Sequence, residues 1–225
     1  MELFTDCLRE GAEQLGLALD HSQVALMGGH AQELNFWNKK INLTAIKTAS
    51  AMAEKHFLDT ICAQPLMGFS DSAAIQSNPS EICRIMDMGS GGGFPGIPLK
   101  ILVPGLTVTL VDSVRKKVNF LNHVIRTLSL KEIVAVHSRV EVLAKDPAHA
   151  SGYDAVIARG FADLESFVRL AEPMLKPGGQ ILSMKGDHAL EEITPNLKDR
   201  FDITPHSYTL PFGHANRYLL ALKRK

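Results

Sequence analysis

A chain of 225 residues has room for one sizeable domain plus an appendage, and not for two large independent domains. Its 45% hydrophobic and 21% charged residues exclude a disordered chain. With 24 Lys and Arg against 24 Asp and Glu, it cannot coat nucleic acid by bulk positive charge, so any polyanion contact must come from a local patch.

The first 67 residues read as helices. Leu3, Phe4, Cys7, Leu8, Leu15 and Leu17 suit the buried face of one, and Val24, Leu26, Met27, Leu34, Phe36 and Trp37 that of a second. A third is predicted over 51–62. Residues 68–80, rich in Ser, Asn and Pro, read as a linker to a second unit, 81–225. The acidic start carries no signal-peptide pattern, and no apolar run approaches the ~18 residues of a membrane span. Cys7, Cys62 and Cys83 form no C-x-x-C pair, which argues against a disulfide framework or a zinc site. A soluble, cytoplasmic protein that carries no metal is the expectation, with Cys83 a small core hydrophobe.

From residue 81 onward, short apolar runs alternate with longer amphipathic stretches. Strands are predicted over 83–88, 106–111, 133–136, 155–158 and 180–184, with helices over 97–103, 114–128, 140–145 and 164–175 between them. This alternation implies an α/β fold with parallel strands and right-handed crossovers. One further helical stretch and two final runs, 207–210 and 218–222, complete a seven-stranded, mostly parallel sheet with a C-terminal antiparallel hairpin.

The densest chemical signal is the glycine-rich turn 89–96, between the first of these strands and its helix. Glycines let backbone turn sharply and let a ligand approach where a Cβ would obstruct it. Gly91, Gly93 and Gly96 spell a dinucleotide-binding string, so NAD is one candidate. Asp87, just before the turn, would repel a pyrophosphate but suits a cofactor bearing an amine and a sulfonium. Asp112, closing the next strand, can accept hydrogen bonds from two ribose hydroxyls. S-adenosylmethionine therefore fits better than NAD, with Ser90, Gly91 and Ser113 among the residues expected to touch it.

The run from Met86 to Leu99 (MDMGSGGGFPGIPL) and that from Leu110 to Leu121 (LVDSVRKKVNFL) resemble the GidB family of bacterial 16S ribosomal RNA guanine-N7 methyltransferases. So do NFWN at 35–38, INLT at 41–44, HFLD at 56–59, SRVE at 138–141, IARGFA at 157–162 and MKG at 184–186. The resemblance implies a class I, Rossmann-like methyltransferase fold with an N-terminal helical cap and S-adenosylmethionine as cofactor. By the same resemblance Gly89, Phe94, Val140, Glu141 and Arg159 contact that cofactor, the backbone at 140 holding the adenine edge. Val140 stands where alanine is common in the family, and Ala158 and Gly160 flank the arginine where serine and alanine are usual.

N7 of guanine has a lone pair and no proton to lose, so no general base is needed and alignment is the main task. An exocyclic-amine methyltransferase would carry an Asp/Asn-Pro-Pro-aromatic stretch where this chain reads ARGFA. Arg139, Arg159, Lys185 and Arg217 are the candidates for catalytic contacts to RNA or the target base, and Phe161 for stacking or core packing. Further basic candidates are Lys39, Lys40, Lys47, Arg115, Lys116, Lys117 and the tail 223–225. The zero net charge favours recognition of a shaped site over sliding along RNA, and with the resemblance that site is expected in 16S rRNA, within the small subunit or a structured precursor; a monomer is expected.

Overall fold

The computed structural model describes residues 2–69, 83–161, 163–213 and 215–225. Most of the expected linker, from residue 70 to 80, lies outside them, as do Ala162 and His214.

Two long helices open the chain, α1 (Glu2–Gln14) and α2 (His21–Ile41). Gly16, in the left-handed region at φ 69°, ends the first turn run before Leu17, so the first helix is shorter than its apolar spacing predicts. Asp20 starts α2 with a capping box: its carboxylate accepts the Gln23 N–H at 2.7 Å, and the Gln23 side chain accepts the Asp20 N–H. Val24, Met27 and Leu34 are buried as predicted, but Leu3 and Phe36 stand exposed. The predicted third helix is broken into α3 (Ala49–Met52), a π-helical turn (Ala53–Leu58), α4 (Asp59–Ala63) and a 3₁₀ turn (Gln64–Met67). That interruption carries side chains of the candidate site described below.

The sheet comprises β1 (Arg84–Met88), β2 (Thr107–Asp112), β3 (Ile133–His137), β4 (Tyr153–Arg159), β5 (Leu175–Lys185), β6 (Phe201–Thr209) and β7 (Asn216–Arg224). Their order is β3-β2-β1-β4-β5-β7-β6, with the first five strands parallel and β7 antiparallel to both neighbours. The expected fold is therefore present. The crossovers are α5 (Gly96–Leu102), α6 (Arg115–Thr127), α7 (Val140–Leu143) and α8 (Leu164–Ala171), and α9 (Pro195–Arg200) leads into β6. Central strands such as β2 are buried along almost their whole length, as a sheet covered on both faces requires.

Two boundaries differ from the sequence reading for local reasons. The predicted helix 164–175 stops at Ala171, where Pro173, lacking an N–H, enters a 3₁₀ turn (Glu172–Met174) and Leu175 already pairs with β4. The predicted strand 207–210 belongs to the nine-residue β6, whose alternating polar residues reflect its exposed edge; Pro205 is tolerated there because an edge strand leaves one side unpaired.

One core unites Phe4, Leu8, Met27, Leu34 and Phe57 of the N-terminal helices with Ile85, Ile97, Leu110 and Phe120 on one face of the sheet. A second core, built around Val156, Phe167, Val168 and Ile181, fills the other face. Burial of this much apolar surface is the main stabilising term, at roughly 25 cal/mol per Å². Among the described residues no helix is long and apolar enough to cross a membrane.

Candidate functional site

The site forms at the carboxyl ends of β1, β2, β3 and β4. Leaving β1, the backbone N–H groups of Gly89 and Ser90 both donate to the Val111 carbonyl, at 2.9 Å each. Gly89 has φ 75°, a conformation that strains any side chain, and a Cβ there would stand 3.2 Å from the Phe161 ring. The turn then closes by Gly93 and Phe94 N–H bonds to the Ser90 carbonyl and enters α5.

Asp87 and Asp112 secure this turn from two sides. Asp112 accepts the Gly91 N–H at 3.0 Å and the Val114 N–H at 2.8 Å, and lies on the wall of a cavity of about 580 Å³. Asp87 does not reach that cavity. It is fully buried beneath the turn, where one oxygen accepts the Ser90 hydroxyl at 2.6 Å and the Gly96 N–H at 3.0 Å while the other has no partner. Burial pushes its carboxyl up to about 6 against the pull of those two donors. The expectation that Asp87 faces a cofactor's positive charge is thus corrected: its side chain organises the loop. Close packing explains the next glycine, since a Cβ on Gly96 would come within 2.3 Å of Leu110 and 2.8 Å of Asp87.

Of the expected cofactor contacts, Gly89, Asp112, Ser113, Val140, Glu141 and Arg159 line the large cavity together with Phe161. Ser90, Gly91 and Phe94 do not. Ser90 is spent on Asp87, Gly91 on Asp112, and the Phe94 ring is buried between two imidazoles, 4.8 Å from His30 and 4.6 Å from His56. Phe161 is half-buried, against Phe167 on one side and the cavity on the other, so it serves core and wall together.

A second cavity, of about 330 Å³, adjoins the first and shares Arg159 and Gly160 with it. Arg159, Lys185 and Arg217 come together here with Lys55, His56 and Asp59; Arg139, the fourth candidate, is exposed on the larger cavity instead. Arg159 donates to the Lys55 carbonyl at 2.7 Å, approaches Asp59 at 3.3 Å and His56 at 2.8 Å, and lies 5.1 Å over the Phe94 ring. Asp59 also accepts the Tyr208 hydroxyl at 2.9 Å and sits 3.8 Å from Arg217. Lys185 pairs with Glu192 at 2.7 Å. Burial, then the Asp59 charge, raises the Tyr208 hydroxyl well above its ordinary range.

Comparison with known proteins matches the chain to one family. The sequence model of GidB, described as rRNA small subunit methyltransferase G, matches residues 23–220. The chain belongs to the GidB family. Relatives named ribosomal RNA small subunit methyltransferase G include one from Geobacter sp. (strain M21), 39% identical with 97% of each chain covered. Another, from Bacillus cytotoxicus, is 38% identical over 93% of this chain and 86% of its own. Among solved structures, a ribosomal protein L11 methylase from Lactobacillus delbrueckii subsp. bulgaricus aligns with TM-score 0.55 at 16% identity, over 76% of this chain and 79% of that one. A SAM dependent methyltransferase from Aquifex aeolicus aligns with TM-score 0.50 at 15% identity, over 76% and 92%. At such identities these two show the fold alone, and that fold is the methyltransferase one.

Several GidB-family motifs acquire a physical role here. Asn38 is held against the 43–44 backbone, Thr44 against His56, and His56 and Asp59 against Arg159, so residues spread over 120 positions meet at one wall. Asp59, Lys55 and Tyr208 were not singled out from the sequence; HFLD was a match without a role, and nothing in the spacing of β6 marks Tyr208. His30 also escaped notice. Its Nε2 lies 2.8 Å from the Gly92 carbonyl, which can only accept, so the ring donates there and braces the glycine turn from α2. Burial holds its pKa down at about 4. Conversely, the basic tail is no part of the site: Lys223 pairs with Gln180, at the middle of β5, whereas Tyr218 pairs with Lys185 at the site end.

Proposed function

We propose that the chain is an S-adenosylmethionine-dependent methyltransferase acting on guanine N7 at a single site in 16S rRNA. The donor occupies the larger cavity and the target purine the smaller. The observation that carries this reading is the meeting of two cavities along Arg159 and Gly160, at the carboxyl ends of parallel strands where open α/β sheets bind ligands.

The residues of the larger cavity fit the donor. Bare backbone at Gly89 admits it closely, and the Asp112 and Glu141 carboxylates match ribose hydroxyls and an amine. Val140 and Phe161 supply apolar wall beside a purine. Each Asp112 oxygen holds one backbone N–H and keeps a second lone pair for a hydroxyl. The smaller cavity suits RNA: Lys55, Lys185 and Arg217 offer cations for phosphate or the purine O6 edge, and Asp59 balances them.

S-adenosylmethionine, when bound, supplies a methyl group on a sulfonium. Guanine N7 brings its own lone pair and has no proton to lose, so the chain's residues would need to supply no base. The chain's residues therefore align the two partners and exclude water, an effect that can supply roughly 7–11 kcal/mol. A thiolate nucleophile, which carbon-5 pyrimidine chemistry would require, is not offered. Burial pushes the Cys62 thiol up to about 12 and the Cys83 thiol to about 11, and Cys83 precedes β1 at the end away from the cavities.

The protein would act in the cytoplasm as a monomer, on the small ribosomal subunit or a structured precursor, with 1–67 as a helical cap on the 81–225 domain. Incubation of the purified protein with subunits from cells lacking it, using donor labelled in the methyl group, tests this. One labelled 7-methylguanosine per 16S rRNA is expected. Label on adenine, on a pyrimidine carbon or on protein refutes the assignment.

A further inference from the structure

The π-helical turn at 53–58 lies outside the sheet, yet its groups converge on the wall between the two cavities. Arg159 Nη2 lies 2.8 Å from His56 Nδ1, while Nη1 is taken by the Lys55 carbonyl and Asp59. A guanidinium can only donate, so His56 Nδ1 must accept. The ring proton then resides on Nε2 and is donated to the Thr44 hydroxyl at 2.8 Å. Thr44 is fixed in turn: Asn38 accepts the N–H groups of Leu43 and Thr44 and donates to the Thr44 carbonyl, and Ile46 N–H donates to the hydroxyl. Stacking on Phe94, 4.6 Å away and tilted by 16°, sets the imidazole plane.

We propose that His56 is the positioning residue for Arg159: its Nδ1 lone pair, oriented by Thr44 and by the Phe94 stack, fixes the guanidinium on the wall shared by donor and target purine. This rests on the reading of the two cavities given above. The imidazole is neutral throughout the physiological range, since burial and the neighbouring Arg159 cation hold its pKa down at about 3. Protonation at Nδ1 would remove the acceptor. Lys55 and Asp59 hold only one edge of the guanidinium, so loss of His56 leaves the other edge free to turn. A displacement of about 1 Å at a reacting centre costs on the order of 10²-fold in rate.

The test begins without activity. Nitrogen-15 NMR of the histidine-labelled free protein is expected to show His56 as the Nε2–H tautomer from pH 5 to pH 8. An Nδ1–H tautomer or a titration in that range overturns the proposal, whatever the enzyme methylates. A wild type that transfers no methyl to rRNA overturns the functional reading instead, and leaves the tautomer to decide the role of His56.

The variant His56→Phe keeps the stack and loses the acceptor. Its kcat for rRNA methylation is expected to fall about 10–100-fold. Arg159→Lys should fall similarly, and the double variant should fall no further than the worse single one. Losses that multiply, or a His56→Phe variant within about twofold of wild type, overturn the proposal. His56→Asn, with an amide oxygen near the Nδ1 position, should recover at least about fivefold over His56→Phe, and no recovery counts against it. If His56→Phe does not fold, Thr44→Val decides: it removes the Nε2 partner, and should mix the tautomers and lower kcat severalfold.

Discussion

Asp87 offers the sharpest test of how the glycine turn is held. Its buried carboxyl has one oxygen engaged by Ser90 and Gly96 and the other without a partner. Asp87→Asn can keep an acceptor at the engaged position and puts an amide NH2 where the unpartnered oxygen was, whereas Asp87→Ala strands two donors. Each stranded donor costs about 1–3 kcal/mol, so the alanine variant should lose about 2–6 kcal/mol at pH 5. For a chain of this length that is a fall of roughly 4–24 °C in Tm. The asparagine variant keeps those two bonds and leaves its NH2 without a partner, much as the protonated carboxyl leaves its O–H at this pH, so it should lose clearly less than the alanine variant, about 1–3 kcal/mol.

The same carboxyl sets a pH dependence of known sign. Its ordinary value is 3.8 and its folded value about 6, so between these pH values the folded state keeps a proton that the unfolded chain has lost. Wild type is therefore stabilised below pH ~4 and loses about 3 kcal/mol as pH rises through 6. Asp87→Asn removes this window. Urea unfolding of the three proteins at pH 4, 5, 6 and 7 measures both effects. An asparagine variant as unstable as the alanine one, or with the wild-type pH profile, would refute the reasoning. Calorimetry on Asp87→Asn should also find S-adenosylhomocysteine affinity within about threefold of wild type, because the side chain lies off the cavity.

Further expectations follow from packing and charge. Gly96→Ala must displace Leu110 or Asp87 and should destabilise by about 1–3 kcal/mol, read as a lower denaturant midpoint. Lys185→Ala and Arg217→Ala should each lower kcat/KM on subunits at least about tenfold. Cofactor affinity should stay unchanged, because both line only the smaller cavity. Tyr208→Phe removes the one hydrogen bond to a buried Asp59 oxygen, which keeps only Arg217 at 3.8 Å, and should lower stability by about 1 kcal/mol in a urea titration. Intact subunits should be methylated at least about tenfold faster than short naked RNA, since the chain has no net charge with which to hold unstructured RNA.

Much of the fold was legible because central parallel strands buried on both faces read as short apolar runs; β1 and β2 fall within one residue of their predicted bounds at each end. So does the edge strand β3, whose run Ile133–Val136 is apolar although only Ile133 is buried. The half-exposed β6 was truncated because its alternating polar residues carry little apolar signal. At the candidate site, Asp112 was legible as a strand-end acid and the glycine-rich turn as a tight backbone bend, whereas Gly89 was picked out within that turn by the family resemblance. Asp87 was found for the wrong reason: a strand-end acid faces inward or outward by one pleat, and the sequence does not say which. The His56–Arg159 contact joins residues 103 apart, so its partners could be quoted as motifs yet not paired.

The most direct measurement of the central claim is a calorimetric titration of S-adenosylhomocysteine into wild type, Glu141→Ala, Gly89→Val and Lys185→Ala. The account predicts one site per chain, weakened at least about tenfold in Gly89→Val and severalfold in Glu141→Ala, and unaltered in Lys185→Ala. Absence of binding to wild type, or loss in Lys185→Ala with Gly89→Val unaffected, would contradict it.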